Sequence, residues 1–467
     1  MSFSLSGMNQ KVDGGTVEIK VSSLHPLIDL ANALNWSRLA ELALKDLKAT
    51  TKKGFWWLWR KLLLRVHLGV FILQSLLNKT DRQIEEEIKH NGAYRLFCGQ
   101  RTVIGWFCPD HTKIEEFRNR LGPETQREIG VSVVQAAEHL GFADPSWADL
   151  DSTVQEANMA YPSDAHLMVK LAAGCHKVVE FFKGAGKKVK DIGVDLKAIK
   201  SKACAYFFAS KQRGIEYKRK VFEKLYRTVK QQVRPIIDYC EGLKKKHVKK
   251  LPWNIRAKVG QIREHARKYL KAVRHFIRTH KMRVGKILSF HLREVVCIKK
   301  GKVGKDKQFG RVFQLMRVGG NFILPLSAKQ VRNEDKKAVE PMLEDHRRIF
   351  GAGTLKSLST DKGYYSSPNT KAAEVVGVKE VGIQYPVNLK NPPTDLSQEK
   401  RVELRNRRAG IEPLIAHVKH WGLERSRMKS DSATEASGYR ATMGFNLHQI
   451  TRHQRLKRLD SRRAALS

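Results

Sequence analysis

The sequence predicts an α/β protein in which a mixed sheet follows an all-helical N-terminal domain and is interrupted, after its first strand, by a basic helical insertion. Three observations predict this organisation. Apolar residues recur at helical spacing through the first 140 residues. Short strand-like runs alternate with helical patterns over residues 293–387, as in a sheet of mixed direction. A long basic segment with helical periodicity separates the first predicted strand from the others.

These changes in pattern divide the chain into regions, and its 467 residues are enough for two or three domains. The expected regions are a flexible N-terminus at 1–22, a helical domain at 23–140, the first strand of a core within 141–164, a basic helical insertion at 165–290, the remainder of the core at 291–455 and a basic tail at 456–467.

The chain carries a large excess of positive charge, with 88 Lys and Arg against 46 Asp and Glu and a formal net charge of +42. Such an excess calls for a polyanionic partner, most often a nucleic acid. The aromatic content, with 8 Trp and 19 Phe, indicates a folded protein of enzyme size. That favours a nucleic acid over the two other polyanionic partners, a membrane surface and a ribosome.

The most apolar segment, residues 55–77, is the natural candidate for a membrane helix. It contains Arg60, Lys61 and Arg65, and three permanent cations within the span favour a buried helix of a soluble protein instead. The six cysteines form no Cys-x-x-Cys pair, and no secretory signal opens the chain. We therefore expect reduced core cysteines, no membrane partner and a cytoplasmic location.

In the N-terminal domain, helix-start signals precede the apolar repeats. Thr80 stands before an acidic first turn, and residues 108–111 open a further helix. Arg118, Arg120 and Arg127 follow, and helices that expose such residues are suited to DNA recognition. A plain helical bundle with solvated charges fits the same pattern equally well.

The first acid of interest is Asp151. Residues 147–154 follow Pro145 and are typical of a short strand that ends at or near Asp151. A turn and a helix start follow at 158–166. An isolated aspartate of this kind is usually structural, so Asp151 gains weight only together with other acids.

The segment 171–290 contributes most of the charge excess, with 33 Lys and Arg and 8 Asp and Glu. Apolar residues recur at helical spacing over 222–236 and 259–277, which predicts two or three long amphipathic helices. A charge run is usually a solvated face, but like charges four residues apart destabilise a helix. A phosphate backbone relieves that repulsion, so we expect this segment to contact DNA, with Lys244 and Lys245 among the contacting residues.

A second acid, Asp361, follows a later strand. Two β-rich runs at 293–300 and 309–316 predict a hairpin, and another apolar run leads into Asp361. Gly363 indicates a turn directly after this acid. An acid at the C-terminal edge of a strand is placed to hold a metal ion above a sheet. The alternative is a helix N-cap, a position that Asp favours.

A third acid, Glu412, lies in a basic segment near the C-terminus. Arg408, Glu412 and Lys419 are spaced by four and seven residues, so a helix places all three on one face. Pro413 fits the first turn of a helix, so the helix either begins at Glu412 or is kinked there. The alternative is a surface ion pair of little energetic weight.

Taken together, the three acids give the chain a resemblance to the DDE transposases of bacterial insertion sequences, in particular to the group with a helical N-terminal domain. Residues 81–85, Asp-Arg-Gln-Ile-Glu, and the spacing Arg-(3)-Glu-(6)-Lys at 408–419 look like motifs of that family. The chain departs from the family in two places. Arg405 stands where the family usually has a tyrosine, and the large insertion follows the first strand rather than the fifth.

The resemblance implies a ribonuclease-H-like catalytic core in which three acids bind two Mg²⁺ ions, with Mn²⁺ as a substitute. In this assignment Asp151 bridges both ions, Asp361 holds one and Glu412 holds the other. The basic residues that would contact DNA near this site are Arg408, Lys419 and Lys362. The implied partner is double-stranded DNA, bound by a homodimer or a higher oligomer at the bacterial nucleoid.

The function that the resemblance implies is that of a transposase. Such an enzyme binds the terminal repeats of its element, cleaves phosphodiester bonds by two-metal hydrolysis and joins the 3′-OH ends to target DNA. We expect the helical N-terminal domain to recognise the element ends. Two alternatives stay open: a catalytically inactive, repurposed DNA-binding protein derived from a transposase, and an RNA-binding or ribosome-associated protein, which the lack of an RNP-type stacking motif disfavours.

Overall fold

The computed structural model describes residues 19–22, 25–49, 57–101, 108–185, 192–212, 214–283, 285–299, 307–327, 334–386, 389 and 396–464. The protein divides into two compact units. The first contains the described residues of Met1–Glu156, Gly310–Met428 and Ser432–Ser467, and the second those of Ala157–Phe309 and Lys429–Asp431. Most of the predicted N-terminal stretch 1–22 and residues 301–306, which lie between the two predicted β-rich runs, are outside the described residues.

Helices fill the described N-terminal part of the first unit. They are α1 (Pro26–Ala33), α2 (Trp36–Ala49), α3 (Trp57–Leu77), α4 (Asp81–His90), α5 (Gly92–Phe97), α6 (His111–Arg120) and α7 (Pro123–His139). The predicted start signals hold, because Thr80 and Gln83 form a reciprocal capping box before α4 and Asp110 caps α6. This part of the chain is therefore all-helical, as its apolar spacing predicts.

A ten-residue strand, β1 (Trp147–Glu156), leads from these helices into the second unit. The second unit contains α8 (Asp164–Gly184), α9 (Leu196–Gln212), α10 (Gly214–Gly242), α11 (Lys245–Lys249), α12 (Trp253–Gln261), a π-helical turn (Ile262–Ala266), α13 (Arg267–Thr279) and the strand β2 (Val296–Lys299). The apolar positions that predicted these helices form its core, with Leu225, Val229 and Val233 fully buried on α10. The basic segment is thus helical and carries its charge on the outside of a real core.

The rest of the first unit completes a mixed sheet. Its elements are β3 (Lys307–Val318), β4 (Phe322–Pro325), α14 (Val339–Phe350), β5 (Ser357–Thr360), α15 (Ser367–Val375), β6 (Glu380–Ile383), α16 (Gln398–Ala409), α17 (Ile411–Val418), a π-helical turn (Lys419–Leu423) and α18 (Asp431–Ala464). β1 lies between β3, its antiparallel neighbour, and β5, its parallel neighbour, while β6 extends the parallel side and β4 pairs with β3. The mixed sheet and helices confirm the predicted α/β class.

One predicted strand boundary is wrong. β1 does not end near Asp151 but continues for five residues, to Glu156. The reason is its antiparallel partner, since the twelve-residue β3 pairs with β1 over Ala148–Glu156. The parallel pairing with β5 stops at Leu150 and Thr360, so Asp151 lies just past the point where the two parallel strands separate.

The predicted exposure of several side chains is also wrong. Arg127 is buried and forms an ion pair with Asp345, while Arg118 forms an ion pair with Asp81 and is largely buried. Arg118 therefore joins α6 to α4, whereas Arg127 joins α7 to α14, and of the three predicted for DNA recognition the most exposed is Arg120. All six cysteines are free, but Cys204 and Cys297 are exposed rather than part of the core. Among the described helices, none is both long and apolar enough to cross a membrane.

Candidate active site

The register of the sheet brings Asp151 and Asp361 together. In the parallel pair β1–β5 the last partners are Leu150 and Thr360, and each acid is the next residue along its strand. Parallel strands run in the same direction, so the residues that follow the last paired partners lie side by side although 210 residues separate them in the chain. The convergence of these two acids follows from strand pairing alone.

Asp151 has the electrostatic environment of a crowded acidic site. Its side chain is 19% exposed, accepts a hydrogen bond from the Ser152 amide at 2.7 Å and contacts the Arg408 guanidinium at 3.1 Å. Burial raises the pKa of Asp151, while the Ser152 amide and Arg408 lower it. The negative charges of Asp361 and Glu412 raise the pKa further, so both other acids act on this carboxylate.

Asp361 caps the short 3₁₀ turn Lys362–Tyr364, because its Oδ1 accepts a hydrogen bond from the Lys362 amide at 2.8 Å. The N-cap alternative is therefore real, but it occupies only one carboxylate oxygen. The turn is anchored by Tyr364, whose buried hydroxyl donates to Gln314 Oε1 on β3 at 2.6 Å. This anchor fixes the backbone at Asp361, and the capping role and a ligand role are compatible.

Glu412 lies in the first turn of α17, and its side chain is 68% exposed. α16 ends at Ala409, so the helix begins close to Glu412, which was one of the two arrangements that Pro413 allowed. Arg408 contacts Glu412 at 3.6 Å and Asp151 at 3.1 Å, so one guanidinium bridges the two acids. In the part of the chain that the structure describes, no group of three or more His, Cys, Asp or Glu side chains is placed to hold a metal ion.

The remaining predicted DNA-binding residues are spread over both units. Lys362 is exposed in the turn after Asp361. Arg408 does not share a helix with Glu412 and Lys419, because α16 ends at Ala409 and α17 begins at Ile411, and Lys419 opens the π-helical turn that directly follows α17. The prediction of one helix that carries all three residues is therefore wrong, although the ion pair between Arg408 and Glu412 forms. Lys244 and Lys245 are exposed at the start of α11 in the second unit.

A buried ion-pair network next to the site was missed in the sequence analysis. Asp149 is fully buried, and its carboxylate accepts a hydrogen bond from Arg407 Nε at 3.0 Å and contacts Arg317 Nη1 at 3.4 Å. Both guanidinium groups lie against the Trp147 ring, at 4.8 Å for Arg407 and 5.2 Å for Arg317. The signal that could have revealed it is Asp-Leu-Asp at 149–151, which places both acids on one face of β1.

This network docks α16 onto the sheet. Arg407 also donates to Ser357 Oγ at 2.8 Å, and Ser359 Oγ on the same strand donates to the Leu404 carbonyl at 3.0 Å. Arg407 and Arg408 are consecutive, so the first pairs with Asp149 and the second with Asp151. The buried pairs thereby fix the end of the helix from which the Glu412 segment continues.

Replacing Asp149 with Asn is expected to lower the free energy of unfolding by about 3 kcal/mol, because it leaves two largely buried guanidinium groups without a counter-charge. Urea denaturation followed by circular dichroism measures the change. The control is Glu334→Gln, which removes one partner of an exposed ion pair with Lys337 and should leave the midpoint near that of the parent. Equal midpoints for the two variants would show that the Asp149 network does not hold α16 on the sheet.

Comparison with known proteins adds two family matches. Residues 16–120 match the family described as a transposase domain (DUF772), and residues 299–447 match the family described as a transposase DDE domain. The second match includes Asp361 and Glu412, whereas Asp151 lies outside it and is tied to the site by the β1–β5 register.

A curated relative resembles a smaller part of the chain. It is a Rhizobium meliloti protein named "Uncharacterized protein ORF8 in nfe locus", 28% identical over 109 residues. The alignment covers 23% of this chain and 53% of that relative, so the chain spans about half the relative's length. No solved structure matches the chain.

Proposed function

Because the chain belongs to the DDE transposases of insertion sequences, we propose that it binds the terminal repeats of its element, cleaves phosphodiester bonds there and joins the freed 3′-OH ends to target DNA. The observation that carries this proposal is the adjacency of Asp151 and Asp361 at the point where β1 and β5 separate. Glu412 is linked to the same place through Arg408. Three carboxylates and a guanidinium around one sheet edge suit phosphodiester chemistry.

The donor set fits a divalent cation. Burial and then the charges of Asp361 and Glu412 raise the pKa of Asp151, which a bound cation would offset. Asp361 uses one oxygen for its cap, and the exposed Glu412 would turn inward by leaving its ion pair with Arg408. Carboxylate oxygens are the ligands that Mg²⁺ prefers, and Mn²⁺ accepts the same set. In this proposal Asp151, Asp361 and Glu412 would hold two such ions, with Asp151 shared by both, Asp361 on one and Glu412 on the other. Bound in this way, the ions would neutralise phosphate charge and activate a water molecule.

Arg408 has two roles in this proposal. Without DNA its guanidinium holds Asp151 and Glu412 by ion pairs, so it balances negative charge at the edge of the sheet. With DNA bound, the same planar fork is suited to a phosphate next to the scissile bond, because it donates two parallel hydrogen bonds. Lys419 and Lys362 would add further positive charge along the path of the bound DNA strand.

Replacing Arg408 with Gln is expected to act in opposite directions on metal binding and on cleavage. Divalent affinity in the absence of DNA rises several-fold, because a competing cation is removed from the acids. Cleavage slows by about tenfold or more, because a charged hydrogen bond to phosphate is lost. Manganese binding followed by electron paramagnetic resonance and a strand-cleavage assay measure the two effects.

The control for this experiment is Arg405→Gln, which removes the same charge from an exposed position on the same helix. This control should leave both readings near those of the parent. If Arg408→Gln matched Arg405→Gln in both assays, the guanidinium would have no role at the acids.

DNA binding is assigned to two regions. We propose that the N-terminal helical domain recognises the element ends and that the basic second unit holds the phosphate backbone without reading sequence. The complex is proposed to form as a homodimer or a higher oligomer at the bacterial nucleoid, since two element ends have to be brought together. The phosphate-binding role of the second unit is supported by the concentration of positive charge between residues 171 and 290. This segment lies outside the family match that contains Asp361 and Glu412.

A cleavage assay tests the proposed function. Purified protein is incubated with duplexes that contain the element end or a scrambled end, with Mg²⁺, Mn²⁺, Ca²⁺ or a chelator. The proposal expects nicks at the element boundary that require Mg²⁺ or Mn²⁺ and a preference for the true end. Preferential end binding without cleavage under every condition would support the alternative, an inactive DNA-binding protein derived from a transposase. The absence of both binding and cleavage would overturn both functions.

A further inference from the structure

A cleft in the second unit, distinct from the acids described above, has the lining of an anion site. It encloses about 280 Å³ between α8, α12, the π-helical turn and the segment after α13. Its charged or titratable lining residues are Lys170, Lys177, Lys258 and His291. Apolar side chains such as Phe290 form the remaining wall. Among its described lining residues, none is acidic.

The charges in this cleft are not balanced within the protein. Lys170, Lys177 and Lys258 form no ion pair among the described residues, and the side-chain bond of Lys258 is donated to Gln261 Oε1 at 3.1 Å. Burial lowers the pKa of Lys258, and the charges of Lys177 and Lys170 lower it further. Three ammonium groups therefore repel one another around a shared space, which costs folding free energy that a bound anion would recover.

His291, in the segment after α13, also lines the cleft and is affected by the charges of its lysines. Burial is the largest cause that lowers the pKa of His291, and the charges of Lys170 and Lys258 lower it further. Its contact with the Asn158 backbone and the charge of Asp431 act in the opposite sense with less weight. The charge of Lys170 thus lowers the pKa of both Lys258 and His291, in addition to the larger effect of burial on each.

The backbone around the cleft is shaped to bring the lysines together. Gly174 lies between Lys170 and Lys177 on α8, and a Cβ at that position would meet the Lys258 side chain at 3.8 Å. The π-helical turn begins at Ile262, which also lines the cleft. A π-turn inside a helix costs regular hydrogen bonding and is frequent at functional sites. Gly174 and the Lys258 side chain are therefore within van der Waals reach of each other, and the irregular turn directly follows the helix that carries Lys258.

We propose that this cleft binds a phosphate group. Several ammonium groups, an imidazole and an amide supply donors on different sides, and no carboxylate of the lining competes for them. The identification of DNA as the source of that phosphate rests on the proposed transposase function. Free phosphate or a phosphorylated small molecule would use the same donors, and the experiment separates these sources.

The test is lysine footprinting of the full chain by acylation and mass spectrometry, with inorganic phosphate in one arm and duplex DNA in the other. Phosphate at about ten times its Kd slows acylation of Lys170, Lys177 and Lys258 by about tenfold. Lys224 and Lys271, which are exposed and outside the cleft, are the internal controls and keep their rates with phosphate. Unchanged cleft rates in both arms would overturn the proposal.

A pair of matched variants gives a second reading. Lys170→Gln with Lys258→Gln should abolish the phosphate protection of Lys177, and it should lower the slope of log K against log salt for DNA binding by about one, the value for one lost phosphate contact. The thermal unfolding midpoint of this double variant should rise, because the repulsion among the three ammonium groups is relieved. Lys224→Gln with Lys271→Gln removes the same charge outside the cleft and should leave both the phosphate protection of Lys177 and the unfolding midpoint unchanged. Equal behaviour of the two pairs would overturn the proposal.

The two arms separate this proposal from the proposed function. Protection by phosphate but not by DNA would keep the site and reject DNA as the source of its ligand. End cleavage by the wild-type protein together with an unprotected cleft would keep the transposase function and reject the site. Protection in both arms, lost in the cleft variant, is the result that we expect.

Discussion

Asp361→Asn is expected to abolish DNA strand cleavage while end binding stays close to that of the parent. The amide keeps the shape of the side chain and its capping acceptor for the Lys362 amide, so the turn survives. It removes the negative charge that a divalent ion requires at this edge of the sheet. Loss of a group that stabilises the transition state by about 4 kcal/mol slows the reaction by about a thousandfold.

Asp151→Asn and Glu412→Gln should have the same outcome as Asp361→Asn, because the proposed site needs all three carboxylates. The measurements are a cleavage time course and equilibrium binding to an end-containing duplex. Glu403→Gln is the control, since Glu403 is an exposed acid on α16 whose ion pair is with Lys400. If Glu403→Gln stopped cleavage and Glu412→Gln did not, the third acid would be wrongly assigned.

Neutralising the lysines around α11 is expected to weaken DNA binding strongly and without regard to sequence. The change replaces Lys244, Lys245, Lys249 and Lys250 by Gln, all of them exposed in the second unit. Each lost phosphate contact lowers the salt slope by about one, so four contacts lower it by about four and reduce affinity at low salt by about a thousandfold. Fluorescence anisotropy over a salt series measures both quantities.

An internal control accompanies this change. The ratio of affinities for terminal-repeat and random duplex should be preserved, because base reading is assigned to the N-terminal domain and not to this unit. Circular dichroism should show unchanged helix content, since the substituted side chains are solvent-exposed. An unaltered salt slope would show that these lysines do not contact the phosphate backbone.

The parts of the site that depend on local sequence could be predicted. The strand and turn around Asp361 were predicted from an apolar run followed by a glycine, and a helix start near Glu412 was one of the two arrangements that Pro413 allowed. Thr80 and Asp110 were identified as helix starts because capping depends on residues within one turn. Each of these features is set by neighbours a few residues away.

The parts of the fold and of the site that depend on residues far away in the chain could not be predicted from the sequence. Asp151 was placed at a strand end because local pattern cannot reveal that β3 is long enough to extend β1 to Glu156. Arg127 was expected to be exposed because its partner Asp345 is 218 residues away. The Asp149 network and the lysine cleft were missed for the same reason, since both join elements that are far apart in the chain.

The most direct test of the central claim, that Asp151, Asp361 and Glu412 share divalent metal, is anomalous diffraction from crystals of the protein with end DNA and Mn²⁺. The account predicts manganese peaks about 2.1 Å from carboxylate oxygens of Asp151 and Asp361, with Glu412 turned inward from Arg408 to a second peak. Manganese bound elsewhere, or Glu412 still paired with Arg408 and out of reach of the metal in that complex, would contradict it.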